Sequence, residues 1–248
     1  MRTIKDISYD SIHHENILDI YLPQNDIFSV FIYFHGGGLD SGDKNEAKTF
    51  AEYLAQNGIA VVSSNYRLYP NAVYPDFIDD AAKTVAWTYK NISKYGKCNK
   101  IFIGGSSAGG YLSMMLCFDE KYLSAYNINQ SEICGFVHNA GQPTCHFRVL
   151  EEYNKDSKRI IVDEKAPLYY VGTAKKYPPM LFLIADNDIE NRYEQTVLMM
   201  STLKHFGYNM DKINMKLIHS VHCEYVEKTD ENNESILGQI ILDFILNN

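Results

Sequence analysis

Apolar residues recur along this chain in two alternating patterns, and the alternation predicts the architecture. Short apolar or alternating runs predict mostly buried strands, and these runs span residues 17–22, 28–34, 59–64, 100–104, 133–139, 180–185 and 214–218. Between them lie segments with apolar residues at helical spacing, which span residues 44–57, 75–92, 111–116, 193–206 and 234–246. Strands that alternate with helices predict an α/β fold, with a mostly parallel sheet covered by helices on both faces.

One segment breaks this alternation. Residues 143–177 carry no sustained period, apart from a short helix predicted over residues 147–153. A stretch of this length is too long for a simple connection inside a compact domain. We therefore expect one domain over residues 1–248, in which residues 143–177 form a small cap or lid over the site.

A glycine-flanked serine follows one of the predicted strands. The sequence Gly-Ser-Ser-Ala-Gly over residues 105–109 lies between an apolar run and a helical segment. G-x-S-x-G between strand and helix is typical of a nucleophile elbow, a tight turn that exposes the central serine at a helix N-terminus. The candidate nucleophile is therefore Ser107. The same residues could also form an ordinary glycine-rich turn with a serine N-cap, so the rest of the chain must decide.

A second glycine motif lies upstream, directly after another predicted strand. His35 is followed there by three consecutive glycines. Glycines leave their N–H groups unshielded, and such a loop is typical of the oxyanion site of lipases and esterases. The predicted donors are the backbone N–H groups of Gly37, Gly38 and Ala108. We expect His35 to brace the loop and not to act as the base.

A serine nucleophile also needs a base and an acid, and each has more than one candidate. His219 and His222 both follow the last strand, and His222 is preferred because it lies on the loop beyond it. Asp186 and Asp188 both follow the strand 180–185, with Glu190 a weaker candidate. The usual spacing from a small residue at the strand end selects Asp188. Local sequence leaves both choices open.

The resulting order, Ser107, Asp188, His222, is the order of the α/β-hydrolases. Three motifs strengthen this: His-Gly-Gly-Gly at 35–38, Asn-Tyr-Arg-Leu-Tyr-Pro at 65–70 and Gly-Ser-Ser-Ala-Gly-Gly at 105–110. Over residues 16–225 the chain resembles the esterase/lipase branch of that superfamily, which includes the hormone-sensitive-lipase-like esterases. The resemblance implies an α/β-hydrolase fold and a Ser-His-Asp triad.

The chain departs from that family at three positions. Ser106 replaces the acidic residue usual before the nucleophile, Asn65 replaces the usual acid of the second motif, and Leu39 replaces an aromatic residue after the glycines. The first strands also begin early, without the long N-terminal cap of larger members, so a more open site is expected. In this respect the chain is similar to small acetyl-ester and feruloyl-ester hydrolases and to kynurenine formamidase-like enzymes.

Charge and composition limit the classes of binding partner and the cellular location that the sequence predicts. The net charge of −8 argues against nucleic acid as the main partner. No apolar run is long enough to span a membrane, and the N-terminus lacks the apolar core of a signal peptide. Five cysteines without metal-type spacing favour a reduced protein, and together these features predict a cytoplasmic location. Nothing in the sequence indicates an oligomeric state.

The sequence therefore predicts a serine carboxylesterase that hydrolyses short-chain, acetyl-like esters of small molecules and needs neither a metal nor a cofactor. The 19 tyrosines are compatible with an acylated sugar as substrate, and equally with packing among the strands or with compositional drift, which is the preferred explanation. Two alternatives stay open because fold alone does not fix function. One is amide hydrolysis, by an arylformamidase or a small serine peptidase. The other is a non-catalytic binding protein on the same scaffold.

Overall fold

Eight strands form the single sheet of this protein, whose computed structural model describes residues 1–248. The strands are β1 (Arg2–Ser8), β2 (Ile17–Leu22), β3 (Ile27–Phe34), β4 (Ile59–Ser64), β5 (Lys97–Ser106), β6 (Gly135–Asn139), β7 (Met180–Asn187) and β8 (Ile213–Val221). Their spatial order is β1-β2-β4-β3-β5-β6-β7-β8. β2 is antiparallel to both of its neighbours, β1 and β4. The six strands β3 to β8 all run parallel to one another. The predicted α/β fold is confirmed.

Seven α-helices cover this sheet. They are α1 (Lys48–Gln56), α2 (Asp76–Asn91), α3 (Ala108–Phe118), α4 (Lys121–Ser124), α5 (Phe147–Glu152), α6 (Arg192–His205) and α7 (Ile236–Leu246). The helix predicted over residues 44–57 begins instead as a 3-10 turn, Lys44–Ala47, before α1. The strand β1 and the short helix α4 were not predicted. Most side chains of β1 are exposed or half-buried at the sheet edge, so it lacks a strong apolar pattern.

The core lies on both faces of the sheet. Along β3 the side chains of Val30 and Ile32 belong to a cluster of 41 buried residues, to which α2 and α3 also contribute. Phe31 and Tyr33 point to the opposite face, where a cluster of 21 buried residues includes side chains from α1 and α7. This alternation explains why the parallel strands read as continuous apolar runs, since both faces of each strand are covered.

The parallel strands end at a common edge, which gathers the loops that follow them. Phe34 on β3 pairs with Gly105 on β5, and Ser106 pairs with Asn139 on β6. The glycine loop, the elbow and the end of β6 are therefore neighbours at this edge. In open α/β sheets this is the edge at which ligands bind.

The long connection between β6 and β7 packs over the same edge. It contains α5 and a 3-10 turn, and its Leu168 N–H donates to the carbonyl of Pro143 at 2.9 Å. Tyr111, in the first turns of α3, donates its hydroxyl to the Lys165 carbonyl at 2.8 Å. The segment 143–177 is thus tied to the helix that follows the elbow. None of the helices combines the length and apolar character that a bilayer crossing requires.

Candidate active site

Ser107 occupies a sharp turn between β5 and α3. Its backbone has φ 53° and ψ −111°, a strained region for a residue with a side chain. Two hydrogen bonds hold the turn: the Ser107 N–H donates to the Asn139 carbonyl at 2.8 Å, and its carbonyl accepts from Tyr111 at 3.0 Å. A Cβ at Gly109 would lie 2.0 Å from the carbonyl oxygen of Phe34, so only glycine allows β3 this close. The turn therefore has the geometry expected of a nucleophile elbow.

Ser107, His222 and Asp188 form a continuous chain of hydrogen bonds. The Nε2 atom of His222 lies 2.8 Å from the Ser107 Oγ, and its Nδ1 lies 2.6 Å from the Asp188 Oδ1. A carboxylate only accepts, so Nδ1 carries the hydrogen and Nε2 is left to accept from the serine hydroxyl. The structure brings together the three residues that the sequence selected, in an arrangement that can transfer a proton from serine to histidine.

The Asp188 carboxylate is held in its ionised form. Its side chain is 2% exposed, and it accepts the backbone N–H groups of Ala185 at 3.2 Å and Ile189 at 2.7 Å. Burial alone would raise the pKa of Asp188, but the hydrogen bond and charge of His222 and the backbone donors outweigh it. The pKa of Asp188 therefore lies below its ordinary value, and the carboxylate can stabilise a protonated His222.

A second Asp–His pair lies on the surface nearby. The Nδ1 atom of His219 is 2.5 Å from the Asp186 Oδ2, but the His219 side chain is fully exposed and makes no hydrogen bond to Ser107. Glu190 is exposed and contacts neither histidine. Of the candidates that the sequence left open, only Asp188 and His222 are joined to Ser107.

The glycine loop lies directly against the elbow. A Cβ at Gly36 would be 3.4 Å from the Cβ of Ser107. Gly37 and Gly38 have φ values of +100° and +66°, and their N–H groups make no hydrogen bond within the chain. The N–H of Ala108 is equally free, since the first residues of a helix have no intrahelical acceptor. Gly37, Gly38 and Ala108 therefore carry N–H groups without a partner within the chain, and the loop that holds the first two lies against Ser107.

His35 lies in the wall of the glycine loop and does not contact Ser107. Its Nδ1–H donates to the Gly36 carbonyl at 2.7 Å, and its ring stacks on Tyr66 at a centroid distance of 4.4 Å. The Tyr66 hydroxyl donates to the His35 carbonyl at 2.9 Å. Burial lowers the pKa of His35 to about 4, so the ring is neutral near pH 7. These contacts fit the bracing role that the sequence predicted for it.

A buried polar network beneath the elbow was not predicted. The Ser106 Oγ lies 2.7 Å from the Tyr33 hydroxyl and accepts from Asn139 Nδ2 at 2.8 Å. Tyr33 in turn donates to Glu46 at 2.5 Å, and Glu46 accepts the Gly36 N–H with both oxygens at 3.2 Å. Tyr225 closes the network by donating to the Asn139 Oδ1. The network links the elbow to the glycine loop. Related esterases usually have an acidic residue before the nucleophile, where this chain has Ser106, and Glu46 provides a carboxylate near that position.

Sequence reasoning missed Glu46 because it lies eight residues beyond the last glycine of the loop, on a turn whose sequence is that of an ordinary helix start. The only available signal was indirect. With Ser106 in the place of an acidic residue, buried hydrogen-bond donors nearby need an acceptor from elsewhere in the chain. Burial raises the pKa of Glu46, against the lowering effect of its hydrogen bonds to Tyr33 and Gly36. No group of three or more His, Cys, Asp or Glu side chains is arranged to hold a metal ion.

The doubly covered parallel sheet and the Ser–His–Asp arrangement at its carboxyl edge define an α/β-hydrolase. The BD-FAE family profile matches residues 18–203, which is three quarters of the chain. This chain belongs to the BD-FAE family. The resemblance to the esterase/lipase branch of the α/β-hydrolases is thereby confirmed.

Named relatives share this scaffold. The chain is 37% identical over 116 residues to the probable carboxylic ester hydrolase LipM of Mycobacterium tuberculosis, covering 44% of this chain and 27% of the relative. The matches thus span about a quarter of the length of the first curated relatives. Esterase B from Lactobacillus rhamnosis superposes with a TM-score of 0.80 at 18% identity, covering 99% of this chain and 85% of that one. A truncated carbohydrate esterase from gut microbiota gives 0.79 at 20% identity, covering 100% and 96%.

Proposed function

We propose that this protein is a serine carboxylesterase that hydrolyses short-chain, acetyl-like esters of small molecules through an acyl-enzyme. The observation that carries the proposal is the unbroken line of contacts Asp188–His222–Ser107, at 2.6 and 2.8 Å, beside unpaired backbone N–H groups. Each component of acyl transfer by serine is then available in one place: nucleophile, base, orienting acid and oxyanion donors.

In the first half of the reaction Ser107 Oγ attacks the ester carbonyl carbon while its proton passes to His222 Nε2. The carbonyl oxygen becomes an oxyanion. It accepts hydrogen bonds from the N–H groups of Gly37, Gly38 and Ala108, which have no other partner and need no reorganisation. Asp188 stabilises the imidazolium that forms.

The tetrahedral intermediate then collapses. His222 delivers its proton to the leaving alkoxide oxygen, the carbon–oxygen bond breaks, and an acyl-Ser107 ester remains. A water molecule attacks this ester in the second half, and His222 accepts the water proton and returns a proton to the Ser107 Oγ. Water is consumed, and one alcohol and one carboxylic acid are released.

The preference for a short acyl group rests on the segment 143–177, which we propose as a small cap over the site. Its Phe147 ring lies close to the glycine loop, with Cζ 3.2 Å from where a Cβ at Gly38 would be. Arg148 extends this contact through an ion pair with Asp40, beyond the loop. A cap that approaches the oxyanion donors so closely leaves little room for a long acyl chain. We include acylated sugars among the candidate substrates, as one structural neighbour is a carbohydrate esterase.

The test is the hydrolysis of 4-nitrophenyl acetate by the wild type and by Ser107→Ala, with His219→Ala as the surface control. The kcat of Ser107→Ala should fall to about a thousandth of the wild-type value or less, while its thermal midpoint stays that of the wild type. Labelling by a fluorophosphonate probe should disappear in the same variant. Wild type that neither turns over nor is labelled would instead indicate a non-catalytic binding protein. Faster turnover of N-formylkynurenine than of acetyl esters would assign the site to amide chemistry.

A further inference from the structure

A cavity of about 500 Å³ lies between the segment 143–177 and the start of α6. Its walls come from three places: residues 157–160 and Phe147 of the segment, Ile189 and Glu190 after β7, and the first turn of α6. The cavity is not lined by Ser107 or His222 themselves. It belongs to no step of the mechanism described above.

Arg192 is the unusual residue of this cavity. It is only 4% exposed, and no carboxylate lies within 4 Å of its guanidinium. Burial lowers the pKa of Arg192, and the charge of Asp188, which acts from beyond that distance, offsets this only in part. One hydrogen bond, from Nη1 to the Ala140 carbonyl at 2.6 Å, is its only contact of that kind within the chain. A buried guanidinium carries five N–H donors and cannot lose its charge, so it requires acceptors. The donors that Ala140 does not use are available to a molecule in the cavity.

The position of Arg192 contradicts the local rule for helices. It is the first residue of α6, where the positive end of the helix dipole disfavours a cation. The preceding Asn191 provides no side-chain cap, so the helix end also retains free N–H groups. A cation and a helix N-terminus that face one cavity both favour an anion there.

The other charges on the cavity wall have the same sign. Lys158 and Arg159 on the wall are exposed and form no ion pair. Glu190 is the only acidic residue on the wall. The whole chain has a net charge of −8. A wall with three cations and one acid is therefore a local exception on an acidic protein, and it would attract anions to this site.

Residues of the cavity wall are linked to the elbow and to the triad. Arg192 holds the carbonyl of Ala140, the residue after Asn139, whose own carbonyl accepts the Ser107 N–H at 2.8 Å. Ile189 on the cavity wall follows Asp188 directly. Phe147, also on the cavity wall, lies against the glycine loop, with its Cζ 3.2 Å from where a Cβ at Gly38 would be. One wall of the cavity is therefore next to the predicted oxyanion donors, on the side from which a bound ester could extend toward Arg192.

We propose that this cavity binds a carboxylate of the substrate through Arg192, so that the enzyme prefers esters that also carry a free carboxylate. The proposal rests on the proposed esterase function and adds the substrate class. A carboxylate suits the site because the planar guanidinium fork can donate two parallel hydrogen bonds to it. Lys158 and Arg159 would steer the anion toward the cavity without contacting it as closely.

The test compares pairs of esters that differ only in the charge of a remote group. On the acyl side the pair is mono-4-nitrophenyl succinate and its methyl ester; on the alcohol side it is 4-acetoxybenzoate and its methyl ester. The wild type should favour the anionic member of at least one pair by about tenfold or more in kcat/KM, mainly through KM. The pair that shows the preference identifies which side of the ester faces Arg192.

Arg192→Met and Arg159→Met then separate the buried cation from an exposed one on the same wall. The ratio of kcat/KM for the anionic to the neutral ester should fall to about one in Arg192→Met and change by about twofold or less in Arg159→Met. Arg192→Lys, which keeps the charge but loses the fork, should retain part of the preference. These ratios are independent of any general loss of activity.

Two results would overturn the proposal. One is a wild type that hydrolyses both members of each pair equally well, which needs no variant to fold. The other is an Arg192→Met enzyme that keeps the full preference for the anionic ester. A wild type that hydrolyses no ester at all, neutral members included, would instead refute the esterase function itself.

Discussion

Replacing Asp188 by Asn removes the charge next to His222, and with the amide nitrogen at the Oδ1 position the Ile189 N–H also loses its acceptor. The side chain keeps its size, but its amide now donates to Nδ1 of His222 in place of accepting from it. The imidazole then carries its hydrogen on Nε2, which faces the Ser107 Oγ at 2.8 Å. In that tautomer His222 cannot take the serine proton, so the nucleophile is no longer activated.

The expected loss follows from the burial of this contact. The Asp188 Oδ1 lies 2.6 Å from His222 Nδ1, and the Asp188 side chain is 2% exposed, so water and salt screen it little. A hydrogen bond to a charged group is worth about 1.5–3 kcal/mol, which is roughly 10- to 150-fold in rate. The wrong tautomer adds to this, so kcat should fall about 10³- to 10⁴-fold.

The assay is steady-state hydrolysis of 4-nitrophenyl acetate, with Asp186→Asn as the matched control. Asp186 makes the same kind of contact to a histidine Nδ1, at 2.5 Å, but its partner His219 is fully exposed and does not reach Ser107. Solvent-exposed ion pairs contribute little, so Asp186→Asn should change kcat by about twofold or less. Thermal midpoints of both variants check that the fold is intact.

Two outcomes would refute this reasoning. An Asp188→Asn enzyme that keeps more than about a tenth of the wild-type kcat would show that the buried carboxylate does not govern the state of His222. Equal losses in Asp186→Asn would show that the effect is not specific to the contact with His222.

Two further changes probe the surroundings of the site. Glu46→Gln should lower kcat on 4-nitrophenyl acetate about tenfold with little change in KM, because the Gly36 N–H loses its charged acceptor beside the oxyanion donors. Acid should destabilise the fold, because burial lowers the pKa of His35 to about 4 and that of His138 to about 3. Below pH 6.5 the unfolded chain gains protons that the folded chain does not, so the free energy of unfolding falls by about 3 kcal/mol per histidine by pH 4, as urea unfolding at several pH values would measure.

Each of these changes has its own control. Glu52→Gln removes a carboxylate of α1 that makes only an exposed ion pair with Lys48, and it should leave kcat unaltered. A rise in KM at constant kcat in Glu46→Gln would contradict the role given to the network. A free energy of unfolding that is constant between pH 7 and pH 4 would contradict the assignment of neutral, buried rings to His35 and His138.

Much of the architecture could be predicted from local sequence, because the requirements there are local. Strands buried on both faces require continuous apolar runs, and the strand predicted over 28–34 differs from β3, Ile27–Phe34, by one residue at its start. The elbow needs glycine where another backbone approaches, as the 2.0 Å clash at Gly109 makes explicit. By contrast, no side chain of β1 is fully buried and only Ile4 and Ile7 pack partly against the core, so its apolar pattern is weak.

The sequence predicted the chain order of the site residues, and it favoured Asp188 by its spacing from the strand end and His222 by its place on the loop. It could not exclude the other pair, Asp186 and His219, which lie within the last residues of β7 and β8. Because β7 and β8 are parallel neighbours, both aspartates lie near a histidine: Asp186 near His219 and Asp188 near His222. The strand register is irregular between Ala185 and Asn187.

The sequence by itself therefore determined the fold class, the turn that exposes Ser107 and the glycine loop beside it. Only the tertiary structure decided which histidine reaches Ser107, that Glu46 supports the loop, and that Arg192 is buried without a carboxylate partner. The physical reason is range. Backbone turns and strand burial are dictated by neighbours along the chain, whereas these contacts join groups up to 115 residues apart and depend on how the loops pack at the sheet edge.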